Sequence, residues 1–126
     1  MTPDEIVSAF CECWDHRDVD EQAEYFADDA VYQNMPLAPV VGKDNIRDNL
    51  RAIDGLMDGI SVVVHRQISH GTVVMNQRTD TLRAFGKTCE VPVVGVFEVV
   101  DGKIKDWREY FDNATVLRAI PEFGGA

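Results

Sequence analysis

The hydrophobic period of this chain changes once, near Ile60, and that change limits its fold more than any other feature. Ahead of it, apolar residues recur at helical spacing: Ile6, Val7, Phe10, Cys13 and Trp14, then Ile46, Leu50, Ile53, Leu56 and Met57. Thr2 and Glu5 fit a capping box around Pro3, and a short second helix is expected over Asp20–Phe26. Ala30–Asn34 reads as a strand stopped by Pro36 and Pro39. Beyond Ile60 the period is two and β-branched residues dominate, giving strands over Ser61–Ile68, Thr72–Ala84, Thr88–Val100 and Lys103–Phe111. His70-Gly71, Phe85-Gly86 and Asp101-Gly102 supply the hairpin turns, and Asp112 is placed to cap a last helix through Leu117 and Ile120. Helices followed by a run of long antiparallel strands predict an α+β fold. With no repeat or linker, residues 1–126 read as one domain, a long sheet curling over three helices around a pocket.

Charge narrows the function. Lys and Arg number 12 against 22 Asp and Glu, a net charge of −10, which repels phosphate backbones and anionic lipid. No nucleic-acid or membrane partner is therefore expected, and the longest uncharged apolar stretch, Val91–Phe97, is too short to span a bilayer. The opening Met-Thr-Pro-Asp-Glu lacks the basic and apolar regions of a signal peptide, and three cysteines cannot frame a disulfide scaffold, so a cytoplasmic protein is expected. Cys11 and Cys13 would point about 200° apart on a helix, Cys89 has no histidine beside it, and His16, His65 and His70 lack ligand spacing, so no metal site is expected. Gly124-Gly125 reads as a frayed terminus, because no strand precedes it as in a phosphate loop.

The informative feature is polarity on strand faces that should be apolar. Side chains two apart share a face. Strict alternation on the last strand sets Ile104 and Asp106 against Lys105, Trp107, Glu109 and Phe111, and the aromatics draw Glu109 inward. Val91, Val93, Gly95 and Phe97 make one face of the strand before; Arg78, Asp80 and Leu82 share a face, as do Tyr32 and Asn34. If these faces all look inward, one apolar cavity receives Tyr32, Asn34, Arg78, Asp80 and Glu109. Burying such charges is costly unless they bond to one another, and Arg78 lies about 7 Å from Asp80 along a strand, within reach of its fork. An arginine between two carboxylates would let one hold a proton while the other stays ionised, the division of labour that acid–base catalysis needs. The same Arg-x-Asp pattern on a solvated face would be an ordinary ion pair. Leu56, Met57, Met35, Leu82, Val91, Val93, Trp107 and Phe111 are candidate pocket walls, each equally readable as plain core.

Tyr32-Gln33-Asn34-Met35-Pro36-Leu37, followed by Pro39 and by Gly42 opening a helix, resembles the limonene-1,2-epoxide hydrolase family. So does Arg78-x-Asp80-x-Leu82-Arg83-Ala84, and Gly95-Val96-Phe97, Gly102-Lys103-Ile104 and Trp107-Arg108-x-Tyr110-Phe111-Asp112 continue the likeness in order. The last motif is shared with the wider SnoaL-like/NTF2-like superfamily, whose fold is a cone-shaped curved mixed sheet over helices and which is commonly dimeric. The resemblance implies one-step hydrolysis of a small apolar epoxide to a vicinal diol, with no metal, no other cofactor and no covalent intermediate, in a homodimer. Carried over by position, Tyr32 and Asn34 orient the water, Asp80 is the acid and Arg78 bridges the carboxylates. The base falls on residue 109, where the family has Asp and this chain has Glu109. One methylene moves the carboxylate by about 1.5 Å, enough to require a repositioned water or to mark a changed reaction. Two other readings stand beside this one: isomerisation or cyclisation of a steroid- or polyketide-like ligand, and a non-catalytic dimeric ligand-binding module.

Overall fold

A six-stranded mixed sheet curves around one end of a helical layer in the computed structural model, which describes residues 1–124. Gly125, half of the expected frayed terminus, lies outside the described residues; Gly124 closes a 3₁₀ turn, Pro121–Gly124.

Helix α1 (Pro3–Glu12) starts on the capping box, with Thr2 accepting from the Glu5 amide and Glu5 accepting from the Thr2 amide. It buries Ile6, Val7, Phe10 and Cys11. A 3₁₀ turn (Cys13–His16) follows, then Arg17 in the left-handed region at φ 52°, then α2 (Val19–Glu24) capped by Asp18. Arg17 donates to the carbonyls of Asp54, Met57 and Asp58, tying this turn to the end of α3 (Lys43–Leu56). Strand β1 runs over Phe26–Asn34, four residues longer at its start than the pattern suggests, and α2 is correspondingly shorter. Asp28 and Asp29 are exposed and a register shift separates Phe26 from Val31, so the early part of the strand has no clean alternation to read. A two-residue strand, β2 (Val40–Val41), pairs with β1 and has no signature of its own.

Strands β3 (Gly59–His70), β4 (Val73–Ala84), β5 (Lys87–Val100) and β6 (Lys103–Tyr110) form an antiparallel meander, and β1 joins β6 in parallel, giving the order β2-β1-β6-β5-β4-β3. The turns keep the expected chemistry: Phe85 and Gly86 have φ 56° and 71°, Asp101 and Gly102 have φ 50° and 78°. Positive φ at both central residues twists a hairpin as its strands twist. Strict alternation fails at two places in the meander: on β3, where Val64 pairs with Arg78 but Arg66 pairs with Gln77 and His65 is an extra residue, and on β6. Val99 pairs with Ile104 but Glu98 pairs with Asp106, so Lys105 is an extra residue; it is exposed while Ile104 is buried on the same side as Trp107. Asp112 caps α4 (Asn113–Ala119) as expected.

Phe10 is the pivot of the core. Its ring meets those of Trp14, Tyr25, Phe26 and Trp107 edge-on at 5.1–5.9 Å, and that of Phe97 slightly further away at 6.3 Å. A second, smaller apolar cluster joins Ala84, Cys89, Val91, Val93, Val116 and Ile120 under α4. A cavity of about 510 Å³ lies between the two clusters and takes its walls from both. Among the described residues no helix is long and apolar enough to cross a membrane.

Candidate active site

One row of inward-facing residues crosses five strands, and two of its members, Asn34 and Glu109, line the cavity. Asn34 on β1 pairs with Glu109 on β6, Glu109 with Gly95 on β5, Gly95 with Asn76 on β4, and Asn76 with Gln67 on β3. Every member but Gly95 is polar, and Gly95 leaves a gap in the middle. The guanidinium of Arg78, two residues along β4, fills it: a Cβ on Gly95 would stand 2.4 Å from Arg78 Nη1 and 2.7 Å from Glu109 Oε2.

All five N–H groups of Arg78 are used there. Nε donates to Asp80 Oδ1 at 3.2 Å and Nη2 to Asp80 Oδ2 at 3.1 Å. Nη1 donates to Glu109 Oε2 at 3.1 Å and to Asn76 Oδ1 at 3.0 Å, and Nη2 donates to Glu109 Oε1. A planar fork binding two carboxylates through both oxygens of each is the arrangement that offsets desolvation of three charges. Arg78 is 3% exposed and Glu109 5%, whereas the Asp80 side chain keeps 18% and faces the open cavity.

Electrostatics follow from this burial. Desolvation is the largest influence on Glu109 and Asp80 adds to it; Arg78 opposes both, and the carboxyl is pushed up to about 7. For Arg78 desolvation acts downward, but the two carboxylates outweigh it and its dissociation is driven above the ordinary range. Burial, then the charge of Glu109, raises the Tyr32 phenol, with the Asn34 side chain partly offsetting both. Trp107 stacks between Tyr32, at 4.2 Å and 14°, and Phe97, at 5.8 Å and 10°. Its Nε1 is buried with no well-formed hydrogen bond, yet it lies toward Glu109, where it favours the ionised carboxylate. Burial also lifts the Cys11 thiol to about 11, leaving it a neutral wall group.

Tyr32, Asn34, Arg78, Asp80 and Glu109 all line the one cavity, as do Leu56, Met57, Leu82, Val91, Val93, Trp107 and Phe111. Met35 does not. Its amide continues the parallel ladder by donating to the Glu109 carbonyl at 2.9 Å, so its side chain takes the face opposite to Asn34, and Leu37 reaches the cavity instead. Phe10 and Cys11 of α1 and Ile53 of α3 add walls that strand faces alone could not supply, and Val62 of β3 adds another. Asn76 and Gly95 are within reach of the alternation that singles out Arg78 and Asp80: Asn76 lies two residues before Arg78, and Gly95 falls in a face otherwise of Val and Phe. An amide bonded to an arginine and a missing side chain carry no charge signal, which is why neither stands out.

Comparison with known proteins gives four matches of note, three to the family and one to the fold alone. A model described as the limonene-1,2-epoxide hydrolase catalytic domain matches residues 1–122. Epoxide hydrolase EphG of Mycobacterium tuberculosis is 36% identical over 114 residues, 90% of this chain and 76% of that protein. The structure of a limonene-1,2-epoxide hydrolase-like epoxide hydrolase from M. tuberculosis superposes with a TM-score of 0.83 at 32% identity, over 97% of this chain and 94% of that one. SalBIII, described as an epoxide hydrolase/cyclase-like enzyme of pyran ring formation in salinomycin, shares the fold, with a TM-score of 0.82 at 16% identity, over 90% of this chain and 92% of that one.

Proposed function

The chain belongs to the limonene-1,2-epoxide hydrolase family, and on that premise we propose that it opens an uncharged, apolar epoxide with water to give a vicinal diol. Tyr32, Asn34 and Glu109 hold the attacking water, and Glu109 takes its proton. The water oxygen bonds to one ring carbon as the ring C–O bond breaks, and Asp80 gives its proton to the oxygen released. Glu109 then holds the proton that Asp80 has lost, and its return restores the starting state. Arg78 keeps the two carboxyl groups at fixed separation and lets one ionise beside the other.

The observation that carries this reading is the single guanidinium gripping both carboxylates at the floor of a predominantly apolar cavity. Two features support the details. A base poised near neutrality suits proton removal from water, and Glu109 is pushed up to about 7. The charges on the floor are already paired, so the walls favour a neutral substrate; a cavity of about 510 Å³ also admits bodies larger than a ten-carbon terpene epoxide.

The reading includes a homodimer formed by the outer face of the sheet. Ile68, Val73, Met75, Val94 and Tyr110 are exposed, the last four on strands whose opposite faces are largely buried. Residues 61–126, which include β4, β5 and β6, hold eight acidic and eight basic residues, while residues 1–60, which include α1, α2 and α3, hold 14 acidic and four basic, so contact through the meander brings together less like charge than contact through those helices.

The test is incubation with limonene oxide, cyclohexene oxide and bulkier apolar epoxides in ¹⁸O-water. Diol carrying one ¹⁸O is expected; folded protein that turns over none of the panel overturns the proposal. A cyclic ether from a hydroxy-epoxide, with no label and no diol, would replace hydrolysis by cyclisation.

A further inference from the structure

The carboxamide of Asn76 is 3% exposed and uses all its hydrogen-bonding groups. Oδ1 accepts from Arg78 Nη1 at 3.0 Å; Nδ2 donates to Gln67 Oε1 at 3.1 Å and lies 3.6 Å from Cys11 Sγ. Gln67 in turn donates from Nε2 to the carbonyl of Asp4 at 3.1 Å, to Asp4 Oδ1 at 2.9 Å and to Ser8 Oγ at 3.0 Å. The first two turns of α1 are thus wired through Gln67 and Asn76 to the arginine on the floor. The amide cannot turn over, because its NH₂ would then face the N–H of Arg78.

From this geometry we infer that Asn76 is a positioning residue for the reaction: its oxygen, locked by Gln67 and Cys11, sets the roll of the Arg78 guanidinium in the gap above Gly95, and so aims the Glu109 carboxylate. The inference rests on the hydrolytic reading of the site. Four of the five Arg78 donors go to the two carboxylates, and those groups change protonation during the cycle. Asn76 is the one acceptor whose strength stays constant, so it is the fixed point against which the fork is held while a proton moves. Neutrality matters as much as shape. A carboxylate at this place would be a third negative charge around one guanidinium, and it would penalise ionised Glu109. A side chain of the same size without oxygen would leave a buried Arg78 N–H without an acceptor and let the guanidinium tilt.

Two near-isosteric variants separate these effects. Asn76→Leu is expected to keep KM within threefold of the parent while lowering kcat roughly 10- to 100-fold, the loss expected when reacting groups are misplaced by an ångström or less. Asn76→Asp keeps the acceptor and is expected to move the acid limb of the kcat profile upward by about one pH unit. A parallel measurement needs no turnover: the ¹³C carboxyl signal of Glu109, identified by its loss in Glu109→Gln, should titrate at higher pH in Asn76→Asp than in the parent. A folded Asn76→Leu with kcat within threefold of the parent overturns the inference. So does an Asn76→Asp protein whose Glu109 signal titrates where the parent's does. A parent inactive on every epoxide would sink the hydrolytic reading alone, because the carboxyl titration still reports the coupling of Asn76 to Glu109.

Discussion

Gly95 faces Glu109 across the β5–β6 ladder, and the volume a methyl group would take at Gly95 is already occupied by the carboxylate of Glu109 and the guanidinium of Arg78. The backbone at Gly95 is ordinary extended strand, so glycine is there for space and not for conformational freedom. A residue that would merely weaken most strands here admits an ion pair to the centre of the sheet.

Gly95→Ala should therefore act on the pair first. The added Cβ would stand 2.4 Å from Nη1, 2.7 Å from Oε2 and 2.9 Å from Phe97 Cε1, and its relief requires moving the Phe97 ring and the tips of Arg78 and Glu109, which are pinned in hydrogen bonds. We expect a stability loss of about 1–3 kcal/mol, the usual range for overpacking, and a loss of kcat beyond what unfolding explains. Chemical denaturation and turnover on the same preparation check both; an alanine variant with parental kcat would show that the contact is relieved without disturbing the site.

Glu109→Asp, although it installs the residue the family resemblance would place there, is expected to slow this chain. The shorter side chain withdraws its oxygens by about 1.5 Å, a C–C bond length, from a fork now held through both of them, and displacement on that scale costs up to about 100-fold in rate. Equal or higher kcat in Glu109→Asp would mean that the floor is not built around the longer side chain. Asp80→Asn and Glu109→Gln should each abolish turnover while still binding diol, measurable by calorimetry.

The outer sheet face gives a third expectation. Met75→Asp together with Val94→Asp places charge on neighbouring strands of the exposed apolar face. Sedimentation should find the parent as a dimer and the variant as a monomer. All five proposed site residues line one cavity within a single chain, so the monomer should retain turnover. A parent that sediments as a monomer at micromolar concentration removes the dimer from the proposal.

Much of this is legible in the residues, and the failures have physical causes. Two-residue turns announce themselves because Asp101-Gly102 and Phe85-Gly86 tolerate positive φ, and the strands between them then alternate in a register that puts Arg78, Asp80 and Leu82 on one face. Alternation is a local rule, and it fails wherever the ladder gains a residue. Lys105 is such a residue, and the register shift between Phe26 and Val31 hides the start of β1 in the same way. Met35 departs from expectation for a different reason: it is apolar and neighbours the site in sequence, but one residue along a strand is the opposite face. The helical contribution to the cavity could not be read from strand pattern, because an apolar residue such as Phe10 or Ile53 looks the same whether it meets core or empty space.

Glu109 also makes a prediction about stability that is independent of turnover. Burial pushes its carboxyl up to about 7, against an ordinary value of 4.5. The folded protein therefore binds a proton between those two pH values that the unfolded chain has released. Stability from this group is fully present below pH 4.5 and is lost as pH rises toward 7. The difference amounts to roughly 3 kcal/mol, because each tenfold change in proton affinity is worth about 1.4 kcal/mol. Glu109→Gln resembles the protonated side chain and cannot ionise, so it should match the parent near pH 5 and exceed it in stability at pH 8. The salt bridges of Asp29 and Glu122, whose carboxyls are held low by Lys105 and Lys87, act below this window. His16, raised by Glu21, shifts parent and variant alike and cancels in the difference. Urea denaturation of both proteins at pH 5 and pH 8 measures it. A difference between the two proteins that stays constant across that range would mean that Glu109 is ionised throughout, held so by Arg78 and Trp107 against its burial.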